Sequence, residues 1–155
     1  MNEMTRAKRL AMRFLSVRMY TSREIYDRLR RKGYGDEVAE TIVSQLIEEG
    51  ILDDRNYADC YIADSVNLNL KGMYRIRQEL LRKGIPSAVV ERALSESEAD
   101  FESALRELVE RKLLTMEITD RKDYEKFKEM LARRGYSSGE INSVLDEYNF
   151  ELNSD

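Results

Sequence analysis

The sequence predicts an all-α protein made of three tandem three-helix repeats. Three observations lead there. Gly33, Gly84 and Gly135 close similar segments at a constant spacing of 51 residues, 84 − 33 and 135 − 84. There is one proline in 155 residues, against abundant Leu, Glu, Arg, Lys and Ala, which favours helix throughout. No run of alternating β-branched residues marks a strand.

The repeated segments are Arg28-Leu29-Arg30-Arg31-Lys32-Gly33-Tyr34, Glu79-Leu80-Leu81-Arg82-Lys83-Gly84-Ile85 and Met130-Leu131-Ala132-Arg133-Arg134-Gly135-Tyr136. Ile25, Ile76 and Phe127 stand eight residues before each glycine. Leu29, Leu80 and Leu131 stand four before, and Val43, Leu94 and Leu145 ten after. A constant period of this kind means one supersecondary unit copied in tandem.

The elements follow in order. Ala7, Leu10, Ala11, Phe14 and Val17 form the apolar stripe of a first helix. Thr21-Ser22-Arg23-Glu24 is a capping box that opens a second helix carrying Ile25 and Leu29. Gly33 stops that helix, since glycine enters the left-handed conformation without a Cβ penalty and the apolar residue after it folds back. Asp36 caps a third helix with Val38, Ala39, Ile42, Val43 and Leu46, which Gly50-Ile51 stops in the same Gly-apolar form. In the second unit the acidic cap Asp53-Asp54 precedes Tyr57, Ala58, Tyr61 and Ile62. A helix with Ile76 and Leu80 then ends at Gly84, and Pro86 lies in the first turn of a helix with Val89, Val90 and Leu94. The third unit has the stripe Phe101, Ala104, Leu105, Leu108 and Val109, then a helix stopped by Gly135. A second capping box, Ser137-Ser138-Gly139-Glu140, precedes Ile141, Val144 and Leu145.

The repeats are bounded at 1–52, 53–98 and 99–155, with linkers at 67–70 and 115–120 as the places to bend. A three-helix unit of about 50 residues has a small core and is marginal alone. Stacking extends that core, which favours an elongated array that can curve. The Tyr and Met residues on the stripes read as core.

The composition removes much chemistry. With no histidine there is no Ser-His-Asp triad, Cys-His pair or imidazole metal site. The single Cys60 forms no internal disulfide, and beside Tyr61 and Ile62 it reads as a packing residue. Neither standard form of Gly-rich phosphate loop is present. Asp53-Asp54 reads as a helix cap rather than a magnesium site. The expectation is a non-enzymatic protein with no catalytic residue, cofactor, metal or small-molecule substrate. No run approaches the roughly 18 apolar residues of a membrane helix, and Met1 to Arg6 lack the apolar stretch of a signal peptide. The chain is expected in the cytoplasm, away from membranes.

Charge is unevenly spread. The net is −4, but residues 1–32 hold ten basic and three acidic side chains, a net of +7, while residues 99–155 hold nine and fourteen, a net of −5. Contact with a polyanion is therefore expected to be local. Arg23, Arg28, Arg30, Arg31 and Lys32 decorate the second helix of unit one. Lys71, Arg75, Arg77, Arg82 and Lys83 decorate its counterpart in unit two, with Tyr74 and Gln78 among them. The 100° helical step places Arg75, Arg77 and Arg82 mainly off the face of Ile76 and Leu80. Such a face suits phosphates or an acidic protein groove. The candidate partner- or DNA-binding residues are Arg23, Arg28, Arg31, Lys71, Arg75, Arg77, Arg82 and Lys83. The plainer reading is that these are solvated faces, and that Lys32, Lys83 and Arg134 answer helix dipoles.

The segment Gly72 to Ile85, Gly-Met-Tyr-Arg-Ile-Arg-Gln-Glu-Leu-Leu-Arg-Lys-Gly-Ile, resembles the central signature of the bacterial RecX family. Leu52-Asp53-Asp54-Arg55-Asn56-Tyr57-Ala58 is similar to its upstream motif, Ser22 to Gly33 to its first-unit segment, and Arg111-Lys112-Leu113 with Leu131 to Tyr136 to its third. The resemblance covers nearly the whole chain. It implies helix-turn-helix-like units and a regulator of the RecA recombinase in DNA repair and homologous recombination. Family members bind RecA–single-stranded DNA filaments, limit strand exchange and ATP hydrolysis, and in some cases bind DNA. The resemblance carries over no catalytic residue. This chain departs from a DNA-gripping protein in its acidic balance, above all in the third unit. A RecA filament is thus the expected partner of a monomeric chain, with DNA secondary. The residues alone also allow a stand-alone helix-turn-helix DNA-binding protein, marked by tight duplex binding and a steep salt slope, or a scaffold with solvated charges.

Overall fold

The computed structural model describes residues 1–153. Among the described residues there are nine helices: α1 (Glu3–Leu15), α2 (Ser22–Arg31), α3 (Asp36–Glu48), α4 (Asp54–Asn67), α5 (Met73–Arg82), α6 (Ser87–Glu96), α7 (Phe101–Leu113), α8 (Arg121–Arg133) and α9 (Ser138–Leu145). The all-α reading and its three helix trios are what the chain forms.

Local chemistry sets the helix ends. Both capping boxes form. The Glu24 N–H donates to the Thr21 hydroxyl at 3.1 Å and the Thr21 N–H donates to the Glu24 carboxylate at 2.9 Å. Ser137 and Glu140 repeat the exchange at 3.1 and 2.9 Å. Asn2, Asp100 and Asp120 accept from the third residue on, satisfying N–H groups that lack an intrahelical partner. Gly33, Gly84 and Gly135 adopt φ of +98°, +89° and +108° just past α2, α5 and α8. The N–H groups of Tyr34, Ile85 and Tyr136 then reach back to the carbonyls of Leu29, Leu80 and Leu131.

The chain divides into two compact units, Met1–Cys60 with Leu80–Ser95, and Tyr61–Glu79 with the chain from Glu96 onward. In the first, α1, α2 and α3 pack against one another around Ala7, Ala11, Ile25, Leu29, Ala39, Ile42 and Leu46. In the second, α7 and α8 pack on α9. Its core includes Leu105, Val109, Phe127, Leu131, Ile141 and Leu145. The repeat positions Ile25, Ile76 and Phe127, and Leu29, Leu80 and Leu131, are all fully buried. Each such side chain contributes about 1.5–3 kcal/mol relative to remaining in water.

Five local expectations need correction. Val17 is 80 % exposed, because α1 stops at Leu15 and the helical period ends with it. Gly35, not Asp36, is the N-cap of α3, and it makes no side-chain cap bond. Asp36 sits in the first turn and accepts a hydrogen bond from the Tyr26 phenol instead. After Gly50 the buried residue is Leu52, not Ile51, whose side chain stays exposed. Cys60 is exposed, since the buried face of α4 runs through Tyr57, Ala58, Ile62 and Val66 and the 100° step turns position 60 away. Pro86 immediately precedes α6 rather than lying in its first turn, and its carbonyl accepts from Val90 at 3.1 Å.

Candidate interaction surface

Each basic second helix is held by a contact that recurs from repeat to repeat. In the first unit the Thr21 hydroxyl donates to the Lys83 carbonyl at 2.7 Å. A Cβ on Gly84 would lie 2.3 Å from Arg23 Cβ, so α2 begins directly on the end of α5. In the second unit the Gly72 N–H donates to the Arg134 carbonyl at 2.8 Å, and the Tyr74 N–H to the Gly135 carbonyl at 3.1 Å. A Cβ on Gly72 would lie 2.3 Å from the Gly135 carbonyl carbon. Thr21 and Gly72 each stand 12 residues before the glycine of their own repeat, 33 − 21 and 84 − 72. Lys83 and Arg134 each immediately precede the glycine of the next repeat. One latch is therefore made twice, and it satisfies a carbonyl that a helix C-terminus leaves without a partner.

Side chains reinforce each latch. In the first unit Asp54 accepts from the Ser22 N–H at 2.8 Å. In the second, Leu70 is a buried non-glycine residue with φ +53°, a conformation that needs support. The Tyr136 phenol donates to the Leu70 carbonyl at 2.9 Å, and the Arg134 guanidinium donates to the Asn69 carbonyl. Burial pushes the Tyr136 phenol well above its ordinary pKa, so it stays a donor at neutral pH. Tyr136→Phe is expected to cost about 1–3 kcal/mol, because a buried carbonyl loses its donor. Urea denaturation measures this, and an unchanged midpoint would exclude a supporting role for the phenol.

The predicted contact residues meet different fates. In the first unit Arg31 and Arg82 are exposed, with no ion pair among the described residues. Arg23 is exposed and lies 3.6 Å from Asp27. Arg28 turns inward, its guanidinium 4.7 Å from the centre of the Tyr20 ring and 5.2 Å from that of Phe14. Lys83 lies 3.8 Å from Glu24 and over the Tyr57 ring. In the second unit Lys71 and Arg75 converge on Glu79 at 2.9 and 3.4 Å, and the Tyr61 phenol donates to the same carboxylate at 2.8 Å. Arg77 lies over the Tyr74 ring at 5.4 Å. Glu79 escaped the sequence reading, which weighed the cations around it and not the carboxylate. Its register was the available signal: Arg75 is four residues earlier on the same helix.

Three family models match in order, those for the first, second and third three-helix domains of RecX, over residues 7–46, 53–94 and 98–145. The chain belongs to the RecX family. A curated relative, Regulatory protein RecX of Bacillus cytotoxicus, is 30% identical over 147 residues, covering 94% of this chain and 54% of that protein. The Bacillus mycoides protein of the same name is 34% identical over 156 residues, with the same coverage. This RecX-family chain thus spans about half the length of those relatives. A crystal structure of RecX from Lactobacillus salivarius superposes with TM-score 0.79 at 24% identity, over 93% of this chain and 95% of that one, a likeness of fold. A crystal structure of a regulatory protein RecX gives TM-score 0.76 at 27% identity, over 92% and 71%. The three RecX domain matches follow the helix trios α1–α3, α4–α6 and α7–α9. The two latches described above link the first trio to the second and the second to the third.

Proposed function

We propose that this RecX-family chain is a non-enzymatic regulator that binds RecA–single-stranded DNA filaments and restrains strand exchange and ATP hydrolysis. The observation that carries the reading is the ordered match to all three RecX domains. The proposed functional modules are the repeats 1–52, 53–98 and 99–155, acting together as a monomer, with RecA as main partner and DNA secondary. Exposed cations on α2 and at the end of α5 supply long-range attraction to an acidic or phosphate-bearing filament surface. Arg31 and Arg82 are the best probes, since both are exposed and neither is committed to an internal pair among the described residues. Arg75 is a poorer one, because it bonds Glu79 and its Cβ packs against Gly135.

The test is a titration of the chain into preformed RecA filaments, following ATP hydrolysis on single-stranded DNA. Inhibition is expected. The Arg31→Glu, Arg82→Glu double variant is expected to need about tenfold more protein for half-inhibition, as losing central charge–charge contacts typically does. No inhibition by the unsubstituted chain overturns the filament reading. An unchanged curve for the double variant removes those two arginines from the contact.

A further inference from the structure

The second unit holds an open cavity of about 460 Å³, set among the 68–71 linker, the last turns of α7 and the end of α8. Lys71, Arg111, Lys112 and Arg134 line it beside Leu108 and Thr115, and no carboxylate stands in the lining. Part of this positive charge is already answered. Glu79 pairs with Lys71 at 2.9 Å and Glu107 with Arg111 at 2.6 Å. The C-termini of α7 and α8 supply about half a negative charge each. Four cations against two carboxylates and two dipole ends still leave an excess of about one positive charge.

The unused donors are in the same place. Lys112 makes no side-chain hydrogen bond or ion pair among the described residues. The Arg134 Nε is buried without a hydrogen-bond partner in the protein, an expensive condition for a guanidinium N–H. Its Nη2 is fixed on the Asn69 carbonyl, which locks the fork in place. The Arg134 guanidinium at the end of α8 and the Lys112 ammonium at the end of α7 approach from different segments, which suits an oxyanion with several acceptor oxygens, while the Thr115 hydroxyl already donates to the Lys112 carbonyl at 3.3 Å. No aromatic ring lines the cavity, so a nucleobase finds no stacking platform there.

We propose that this cavity is a binding site for a phosphate group, with Lys112 and Arg134 as its principal donors and Lys71 and Arg111 as supporting charges. The site lies wholly within the second unit and does not depend on the filament reading. The phosphate can come from a free polyphosphate or from a nucleic-acid backbone.

Calorimetric titration of the full chain with pyrophosphate tests this, at ionic strength held constant with chloride so that general screening is not the readout. Saturable binding is expected. Lys112→Glu is expected to weaken it by about tenfold or more, since a charge-assisted contact becomes a repulsion. Lys32→Glu makes the same charge change in the first unit and is expected to leave the affinity unchanged. A fluorescent oligothymidylate then separates the sources. Displacement by pyrophosphate, lost in Lys112→Glu, shows that a backbone phosphate enters the cavity. Pyrophosphate binding without such displacement assigns the site to free phosphates. Absence of saturable pyrophosphate binding overturns the proposal, as do equal losses in Lys112→Glu and Lys32→Glu.

Discussion

Gly135→Ala is expected to destabilise the protein by about 3–4 kcal/mol, while Gly33→Ala, at the equivalent repeat position, costs only about 1–2 kcal/mol. Both glycines have strongly positive φ, so each alanine pays a similar backbone penalty. They differ in what a Cβ would meet. At Gly33 there is nothing within 4 Å. At Gly135 the new atom would lie 2.6 Å from Arg75 Cβ and 2.8 Å from both the Arg75 nitrogen and the Gly72 oxygen. Two of those three atoms belong to the backbone of the latch and cannot rotate away. Gly72→Ala isolates the steric part, since its φ is not positive yet a Cβ would lie 2.3 Å from the Gly135 carbonyl carbon. It is expected to cost about 2–3 kcal/mol. In thermal melts of a chain this size, Gly135→Ala then falls by about 10 °C and Gly33→Ala by about 4 °C. Equal shifts for the two would mean that the latch yields to a methyl group, and the close approach would have no energetic content.

That difference between glycines shows where sequence reading stops. The 51-residue period, the apolar spacing and the turn chemistry are local signals, and they are enough to place all nine helices and the repeated core positions such as Ile25, Leu29, Ile76, Leu80, Phe127 and Leu131, but not Leu52, Val66 or Leu70, which are buried outside the repeated pattern. Gly33, Gly84 and Gly135 look alike in sequence because their local task is the same. Their tertiary tasks differ: Gly84 and Gly135 receive the preceding repeat's second helix, and Gly33 receives nothing. Gly72 gave no sequence signal for its role, since the strand of backbone it approaches lies 63 residues away, 135 − 72. The basic faces were equally ambiguous. A helical wheel places Arg28 at the margin of the core stripe, but only the fold shows it packed between Phe14 and Tyr20. The cation cluster of Lys71, Arg111, Lys112 and Arg134 is drawn from three distant segments, and no spacing rule joins them.

Glu79→Gln is the second large effect, at about 2 kcal/mol at neutral pH, taken below the range for a fully buried pair because the groups are partly solvated. The carboxylate is 19% exposed, and it binds Lys71, itself 16% exposed, together with Tyr61 and Arg75. A glutamine keeps the shape and one acceptor oxygen. It leaves the Lys71 ammonium half-buried without a counter-charge beside Arg75. Replacing both members of the pair, Lys71→Met with Glu79→Leu, removes the orphaned charge and is expected to cost less than the two single changes added. Acid supplies an independent check. Burial opposes ionisation of Glu79, but hydrogen bonds from Lys71 and Tyr61, the Lys71 charge and a hydrogen bond from Arg75 together hold its carboxyl below the ordinary 4.5. A carboxyl depressed by folding stabilises the native state above its unfolded pKa, and that contribution disappears as pH falls through the lower folded value. The stability gap between the native sequence and Glu79→Gln is therefore expected to be full at pH 7, to begin shrinking below about pH 4.5 and to close further in stronger acid. Urea denaturation across that range measures it. A gap that stays constant from neutral pH into acid would show that Glu79 acts through its shape and not its charge.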